Sequence, residues 1–428
     1  MKRMCRLSTR GLLAALALAG WSLLAAHPRP KVRRAPARPA APGPNAIANP
    51  AALKPFLEAL QRLEGPDPEG VVRVLQFGDS HTAADLWSGR IRRRLQARFG
   101  DAGPGYLLPG KPWRGYPHEG VRLAAGPGWS AQSLRNDASG GLVGLTGASL
   151  VCADPGASGP AMTVQAAFGS FRVDLLGPEG GSLLATLAPV PEAGAAAAPP
   201  ARIAVPAAGA EPLRPGLAVQ RFAFAGPAAP GPRELCLFPG QESRLLGVDL
   251  LSGSPGVVYD ELGLNGAELL DLERWDPDLR RALVAGSRPG LVVLAYGTND
   301  EGMGAQAWDA FPARARELLR ALKDASGAPV LVIGPLDRVG RSKRQRGPLK
   351  AGADWIIRTL KEASLQCGCA FWDARKAMGG YGSIQKWRRA GLAQKDLVHL
   401  TGPGYQRLGD LFTEALLAGL GKGHSRAE

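Results

Sequence analysis

Acidic side chains are absent from the first fifty residues, which hold nine basic ones: Lys2, Arg3, Arg6, Arg10, Arg29, Lys31, Arg33, Arg34 and Arg38. The formal net charge is +15, so once those nine are set aside the other 378 residues carry only +6. That small surplus comes with no nucleic-acid motif, and no nucleic-acid partner is expected. Long apolar runs are equally scarce: outside residues 11–26 nothing is long and apolar enough to span a bilayer. Cysteine occurs five times, and Cys5 lies in the N-terminal stretch. Cys152 and Cys236 could pair in an exported protein. Cys367 and Cys369 are too close in sequence for an easy mutual disulfide. They also lack the second CxxC or His pair of a zinc site, so buried free thiols are expected. HExxH and P-loop patterns are missing, and no metal or organic cofactor is called for.

What is present suits a folded, exported protein. With 45% hydrophobic and 21% charged residues in 428, the chain can bury one large core or two ordinary ones. Residues 1–26 read as a targeting segment, with a basic start to Arg10, an apolar run from Gly11 to Ala26, and small residues at Ala25 and Ala26 for cleavage. Whether it is cleaved or kept as a membrane attachment through residues 11–26 stays open, since Trp21 and the following basic cluster could flank a span. Either route places the protein in the periplasm or on the cell envelope. Residues 27–50 are dominated by Ala, Pro and Arg, an extended tether that cannot form a core, and 422–428 form a short tail.

From Ala51 the pattern alternates. A short helical piece lies around Leu53 to Leu63. Val71 to Phe77 reads as a strand and Ala84 to Phe99 as a helix with Leu86, Ile91, Leu95 and Phe99 apolar. The C-terminal half repeats the scheme: strand Leu291 to Tyr296, helix Ala305 to Lys323, strand Val330 to Ile333, helix Lys350 to Leu365, strand Ala370 to Asp373, helix Gly404 to Leu420. Such alternation implies an α/β fold with a parallel sheet and helices on both faces. Residues 123–253 differ, being rich in Gly, Ala and Pro, with brief strand-like runs at Phe171–Leu175, Arg202–Val205 and Leu235–Phe238. They read as a β-sandwich inserted between two parts of one domain, 51–122 and 254–421.

Four short blocks carry candidate chemistry. Gly78-Asp79-Ser80-His81-Thr82 follows the first strand and precedes the first long helix, which puts Ser80 at the carboxyl edge of the sheet, where open α/β folds bind ligands. The bland alternative is a helix N-cap. Asp396-Leu397-Val398-His399 supplies an imidazole and a carboxylate to orient it, three residues apart, unless they are only a turn residue and a surface histidine. Of five histidines, His27, His118 and His424 fall in tether, loop and tail. His399 and His81 remain, and His81 adjoins Ser80 too closely to be its obvious base. Gly297-Thr298-Asn299-Asp300 ends a strand and offers an amide donor to an oxyanion, though it is also ordinary turn chemistry. Gly263-Leu264-Asn265-Gly266-Ala267 follows Val257-Val258-Tyr259, and glycine there lets a backbone N–H approach a substrate.

Taken in chain order, Gly-Asp-Ser, the glycine turn, Gly-x-Asn-Asp and Asp-x-x-His, the four blocks resemble those of the SGNH (GDSL-like) hydrolase superfamily. The resemblance implies a three-layer sandwich with Ser80 as nucleophile, His399 as base, Asp396 as its orienter, and Gly266, Asn299 and the Ser80 N–H as oxyanion donors. No Gly-x-Ser-x-Gly elbow occurs, which argues against the α/β-hydrolase fold despite the same Ser, Asp, His order. Gln76 to Asp85, Gly103-Pro104-Gly105-Tyr106, Ala377-Met378-Gly379-Gly380 and Asp396 to Leu400 look like bacterial peptidoglycan O-acetylesterases, in which a sandwich similar to a carbohydrate-binding module interrupts the hydrolase. The implied function is removal of O-acetyl groups from an acetylated envelope polysaccharide, peptidoglycan first. An O-acetyltransferase shares the acyl-enzyme and is the alternative within enzymes. A catalytically silent carbohydrate-binding protein is the alternative outside them. Arg341 to Arg346 form a basic run that is either solvated or in contact with an anionic glycan or phospholipid, and Trp129, Trp275 and Trp387 are open to sugar stacking or core packing.

Overall fold

The computed structural model of the protein describes residues 43–420, apart from 109, 111–117, 136, 191–199, 227–229, 303–304 and 340–349. The targeting segment, residues 27–42 of the tether, the basic run Arg341 to Arg346 and the tail lie outside the described residues, whereas residues 43–50, expected to be tether, pack on the parallel-sheet domain through buried Ile47 and the pairing of Ala48 with Phe371.

Five parallel strands form one sheet in the order Gly256–Gly263, Val71–Gly78, Leu291–Ala295, Val330–Ile333, Ala370–Trp372. Side chains alternate across each strand, so Val72 and Val74 face one side while Leu75 and Phe77 face the other. On the first side they pack under the helices Lys54–Leu63, Trp87–Phe99 and Gly402–Leu416, through Phe56, Leu60, Ile91, Leu95, Leu408 and Phe412. Beneath the opposite face lie Pro277–Ser287, Ala305–Ser326 and Lys350–Gln366, contributing Leu279, Phe311, Leu318, Ile356 and Leu360. The result is a three-layer α/β arrangement. Its connectivity reverses at Val71–Gly78, whose neighbours on either side come later in the chain. A crevice at the carboxyl end of that strand is where such sheets bind ligands.

Between Gly105 and Leu251 the chain forms two antiparallel sheets, seven-stranded and five-stranded among the described residues. They share an apolar cluster that includes Val173, Leu175 and Leu245 from one and Val164, Leu235 and Leu237 from the other. The first of these strands, Gly105–Leu107, precedes residue 123 and pairs with Arg244–Leu251. At three residues it is too short to show a period of its own, and its place is set by its partner. The other face of the seven-stranded sheet turns Leu176, Val219 and Leu246 into the same cluster as Trp275, Leu279 and Phe77. The antiparallel strands are therefore packed into the core of the parallel sheet and not merely attached to it.

A buried charge cluster ties the two parts together. The Arg73 guanidinium donates to Asp260 at 2.7 Å on the neighbouring parallel strand and to Asp249 at 2.8 Å on the antiparallel strand Arg244–Leu251. Asp260 also accepts the Tyr106 N–H at 2.7 Å, and Arg172 pairs with Asp249 at 3.1 Å. Removing the central cation leaves buried Asp260 with no cation and Asp249 with Arg172 alone. Arg73→Met should therefore lower the unfolding free energy by about 3–5 kcal/mol, read from the denaturant midpoint at constant slope. A loss below about 1 kcal/mol would mean that the carboxylates reach water.

Both Cys152 and Cys236 are free thiols. They stand on different sheets, Cys152 in Ala148–Cys152 and Cys236 in Gly231–Pro239, and the pairing open to an exported chain is not formed. Cys369 is a buried free thiol, and Cys367 is free and partly buried. Trp275 and Trp387 are core residues, while Trp129 is partly buried against the shared cluster of the antiparallel sheets. No helix among the described residues is long and apolar enough to cross a membrane.

Candidate active site

Strand Val71–Gly78 ends in a turn built on Asp79. Its carbonyl accepts the N–H groups of Thr82 and Ala83, both at 3.0 Å, and its carboxylate accepts the His81 N–H at 2.9 Å. A Cβ on residue 78 would come within 2.1 Å of the Thr82 hydroxyl, so only glycine lets the chain fold back this sharply. Downstream, Asp85 accepts from the Ser88 hydroxyl, the Arg92 guanidinium and the Glu119 N–H, which pins the far end of the turn to the following helix. Ser80 is left at the crest, partly exposed.

The partner groups arrive 319 residues later. Ser80 Oγ lies 3.1 Å from His399 Nε2, and His399 Nδ1 lies 2.7 Å from Asp396 Oδ2. Asp396 Oδ1 accepts the N–H groups of Val398 and His399, both at 3.0 Å, closing a tight loop in which Leu397 adopts φ 55°. One carboxylate thus shapes the backbone with one oxygen and holds the imidazole with the other. Partial burial alone would raise the Asp396 pKa, but the hydrogen bonds from the His399 ring and the two N–H groups outweigh it and hold the carboxyl below its usual range. With Nδ1–H donated to the carboxylate, Nε2 presents a lone pair to the hydroxyl, the tautomer a base needs.

The two glycine-containing turns stand together beside this row. Leu264 N–H donates to the Gly78 carbonyl at 2.9 Å, which joins the turn carrying Gly266 to the strand carrying Ser80. Gly266 has φ 73°, a conformation side chains disfavour. The Asn299 amide donates one hydrogen to the Ala267 carbonyl at 2.9 Å and retains a second. Asn299 is partly exposed, whereas Asp300 next to it is fully buried.

Three further residues shape the site. Asp300 accepts the Gly297 N–H with one oxygen and the Leu269 N–H with the other, both at 2.9 Å, bracing the Asn299 turn against the segment after Gly266. Burial pushes its carboxyl up to about 7. Arg135, from the antiparallel region, pairs with Asp271 at 3.0 Å, and a Cβ on Gly266 would stand 3.7 Å from its guanidinium. Tyr405, at the start of the last helix, hydrogen-bonds His81 Nδ1 at 2.8 Å. His81 is therefore engaged away from Ser80, and of the two histidine candidates it is His399 that meets the hydroxyl.

A parallel sheet with a hydroxyl, an imidazole and a carboxylate in line at its switch point defines an SGNH-type acylhydrolase, a carboxylic ester hydrolase. Residues 231–407 match the GDSL-like lipase/acylhydrolase family, and the chain carries a domain of that family. The matched stretch contains Gly266, Asn299, Asp396 and His399. Ser80 lies outside it, separated in sequence by most of the antiparallel strands. Among solved structures, a peptidoglycan O-acetylesterase superimposes with a TM-score of 0.66 at 23% identity, over 85% of this chain and 95% of that one, a likeness of fold. A salicylyl-acyltransferase from a tetracycline biosynthetic pathway, at TM-score 0.32 and 14% identity over 72% and 97%, is more distant. So is an acetyl xylan esterase, at 0.28 and 23% over 37% and 80%. The curated proteins include no match to the chain.

Proposed function

We propose that the protein removes O-acetyl groups from a cell-envelope polysaccharide, with peptidoglycan the first candidate, through an acyl-enzyme on Ser80. The observation that carries this reading is the row Ser80, His399, Asp396 at 3.1 and 2.7 Å. His399 takes the Ser80 proton as Oγ attacks the acetyl carbonyl, then returns it to the departing sugar hydroxyl. Water, activated by the same imidazole, releases acetate. The Ser80 and Gly266 N–H groups and the second hydrogen of the Asn299 amide receive the oxyanion. Peptidoglycan is favoured by the fold shared along 95% of a peptidoglycan O-acetylesterase.

In this reading residues 51–122 and 254–421 are the hydrolase, and 123–253 form an inserted β-sandwich that contacts polymer beyond the ester. The contact of Arg135 with the segment after Gly266 supports that placement. Residues 1–26 deliver the chain to the periplasm or hold it at the envelope.

Incubating purified protein with O-acetylated peptidoglycan should release acetate, measured enzymatically, at a rate abolished in Ser80→Ala. Acetyl groups reappearing on a glycan hydroxyl without free acetate would identify a transferase, and binding with neither product would leave a carbohydrate-binding protein. Asn299→Ala should lower kcat by about 10² to 10³ with KM nearly constant, the size of one oxyanion donor felt in the transition state. A change confined to KM would make Asn299 a substrate-binding residue.

A further inference from the structure

His81 follows the nucleophile directly and is almost wholly buried, yet the proton transfers above make no use of it. Its Nδ1 lies 2.8 Å from the hydroxyl of Tyr405, itself buried and 324 residues away. Tyr405 belongs to the helix Gly402–Leu416, whose first turn is capped by the Thr401 hydroxyl, and this helix begins three residues after His399. One buried hydrogen bond thus joins the residue beside Ser80 to the helix that follows His399. The rings of His81 and His399 lie with centroids 5.2 Å apart, and those of His81 and Tyr405 5.9 Å apart, so the bridge is packed as well as bonded.

We propose that His81 and Tyr405 are positioning residues that fix the Ser80 turn against the His399 loop and so set the distance over which the proton passes. This role rests on the esterase reading above. Three features favour it over simple core filling. Each group is joined through the backbone to a member of the reacting pair, His81 directly to Ser80 and Tyr405, six residues on, through the start of its helix to His399. The buried His81–Tyr405 bond, with the His81 ring edge-on to Tyr405 and tilted against His399, adds a second contact between the two segments beside the Ser80–His399 hydrogen bond. Burial lowers the His81 pKa, which keeps the ring neutral and spares His399 a second positive charge nearby when it takes the Ser80 proton.

The test uses the full chain carrying Tyr405→Phe, His81→Leu, His81→Asn or the double change Tyr405→Phe/His81→Leu. Hydrolysis of an aryl acetate is measured per Ser80 titrated with a fluorophosphonate, so that unfolded molecules do not count. Tyr405→Phe removes one oxygen and should fold. It and His81→Leu should each lower kcat about 10- to 100-fold, the scale of a misplaced reacting group, with KM within about twofold. The double variant should be no worse than the weaker single one, because both break the same bridge. His81→Asn, whose Oδ1 replaces Nδ1 as acceptor, should recover most of the loss. Titrated Tyr405→Phe and His81→Leu turning over at the wild-type rate would overturn the proposal. So would His81→Asn as inactive as His81→Leu, which would place the imidazole itself in the proton path. A wild-type protein that neither hydrolyses the ester nor reacts with the fluorophosphonate would overturn the esterase reading, and the positioning role with it.

Discussion

Ser80→Ala should fold as the parent does and lose turnover of small aryl acetates by on the order of 10⁴-fold or more, the scale seen when a nucleophile is removed from a serine triad. The size follows from the lack of a substitute. Thr82, the nearest other hydroxyl in the turn, is fully buried and already accepts the Gln76 side-chain amide at 3.1 Å. Cys369 is buried, its thiol pushed up to about 11 by burial, and it immediately precedes the edge strand Ala370–Trp372, which is not a neighbour of the strand carrying Ser80. Ser80 itself holds nothing but the His399 contact among its side-chain hydrogen bonds, so its removal should cost little stability. Circular dichroism and the melting midpoint establish the fold, and initial rates with an aryl acetate give the loss. Activity above a few per cent of wild type in the folded variant would sink the nucleophile assignment.

Ser80, His399 and Asp396 are legible in the sequence. Strand Val330–Ile333 and the start of the helix at Lys350 fall where periodicity puts them, because a fully buried parallel strand and an amphipathic helix each leave a strong pattern. The Asp396 to His399 spacing likewise announces its chemistry, since a carboxylate three residues before an imidazole can fold back on it. The loop that makes this happen was not visible. It needs Leu397 at φ 55°, and nothing about leucine suggests a left-handed residue.

The reinforcing groups were hidden for a common reason, which is that their partners are distant in sequence. Asp300 reads as a turn residue next to Asn299, and only the arrival of Leu269 shows that its second oxygen spans two loops. Tyr405 reads as one apolar position of a helix, and Arg135 as a loop cation. Their roles appear once segments far apart in the chain lie side by side, as Val74 and Tyr259 do within the parallel sheet. The antiparallel strands were legible only in part. Phe171 to Leu175 alternates and was visible, but Ala207–Arg214 is mostly exposed and built of Ala, Gly, Glu and Pro, so its pairing with Leu217–Ala225 is what makes it a strand. The same tertiary coupling bears on excision of residues 123–253. Leu176, Val219 and Leu246 share a cluster with Trp275 and Leu279, so the cut would expose the face of the hydrolase on which those side chains rest.

Asp396→Asn should lower kcat by about 10² to 10⁴ with KM little changed, and the two ends of that range come from two features of the site. An asparagine is isosteric. Its oxygen can still accept the N–H groups of Val398 and His399, so the loop should survive with Leu397 in place. Its NH₂ then faces His399 Nδ1, where the carboxylate oxygen stood at 2.7 Å. Two donors cannot share that contact, so the imidazole must carry its proton on Nε2 and present an N–H, not a lone pair, to Ser80. A hydroxyl met by an N–H has no base, and the carboxylate that stabilised the imidazolium is gone as well. This sets the upper end. Against it, the Asp396 side chain is 41% exposed, so water can reach the pair and partly restore the productive tautomer. Comparing Asn with wild type by single-turnover acylation isolates the step that needs the base. A rate within tenfold of wild type would mean that backbone shaping is all Asp396 does, and that His399 keeps its working tautomer without a charged partner.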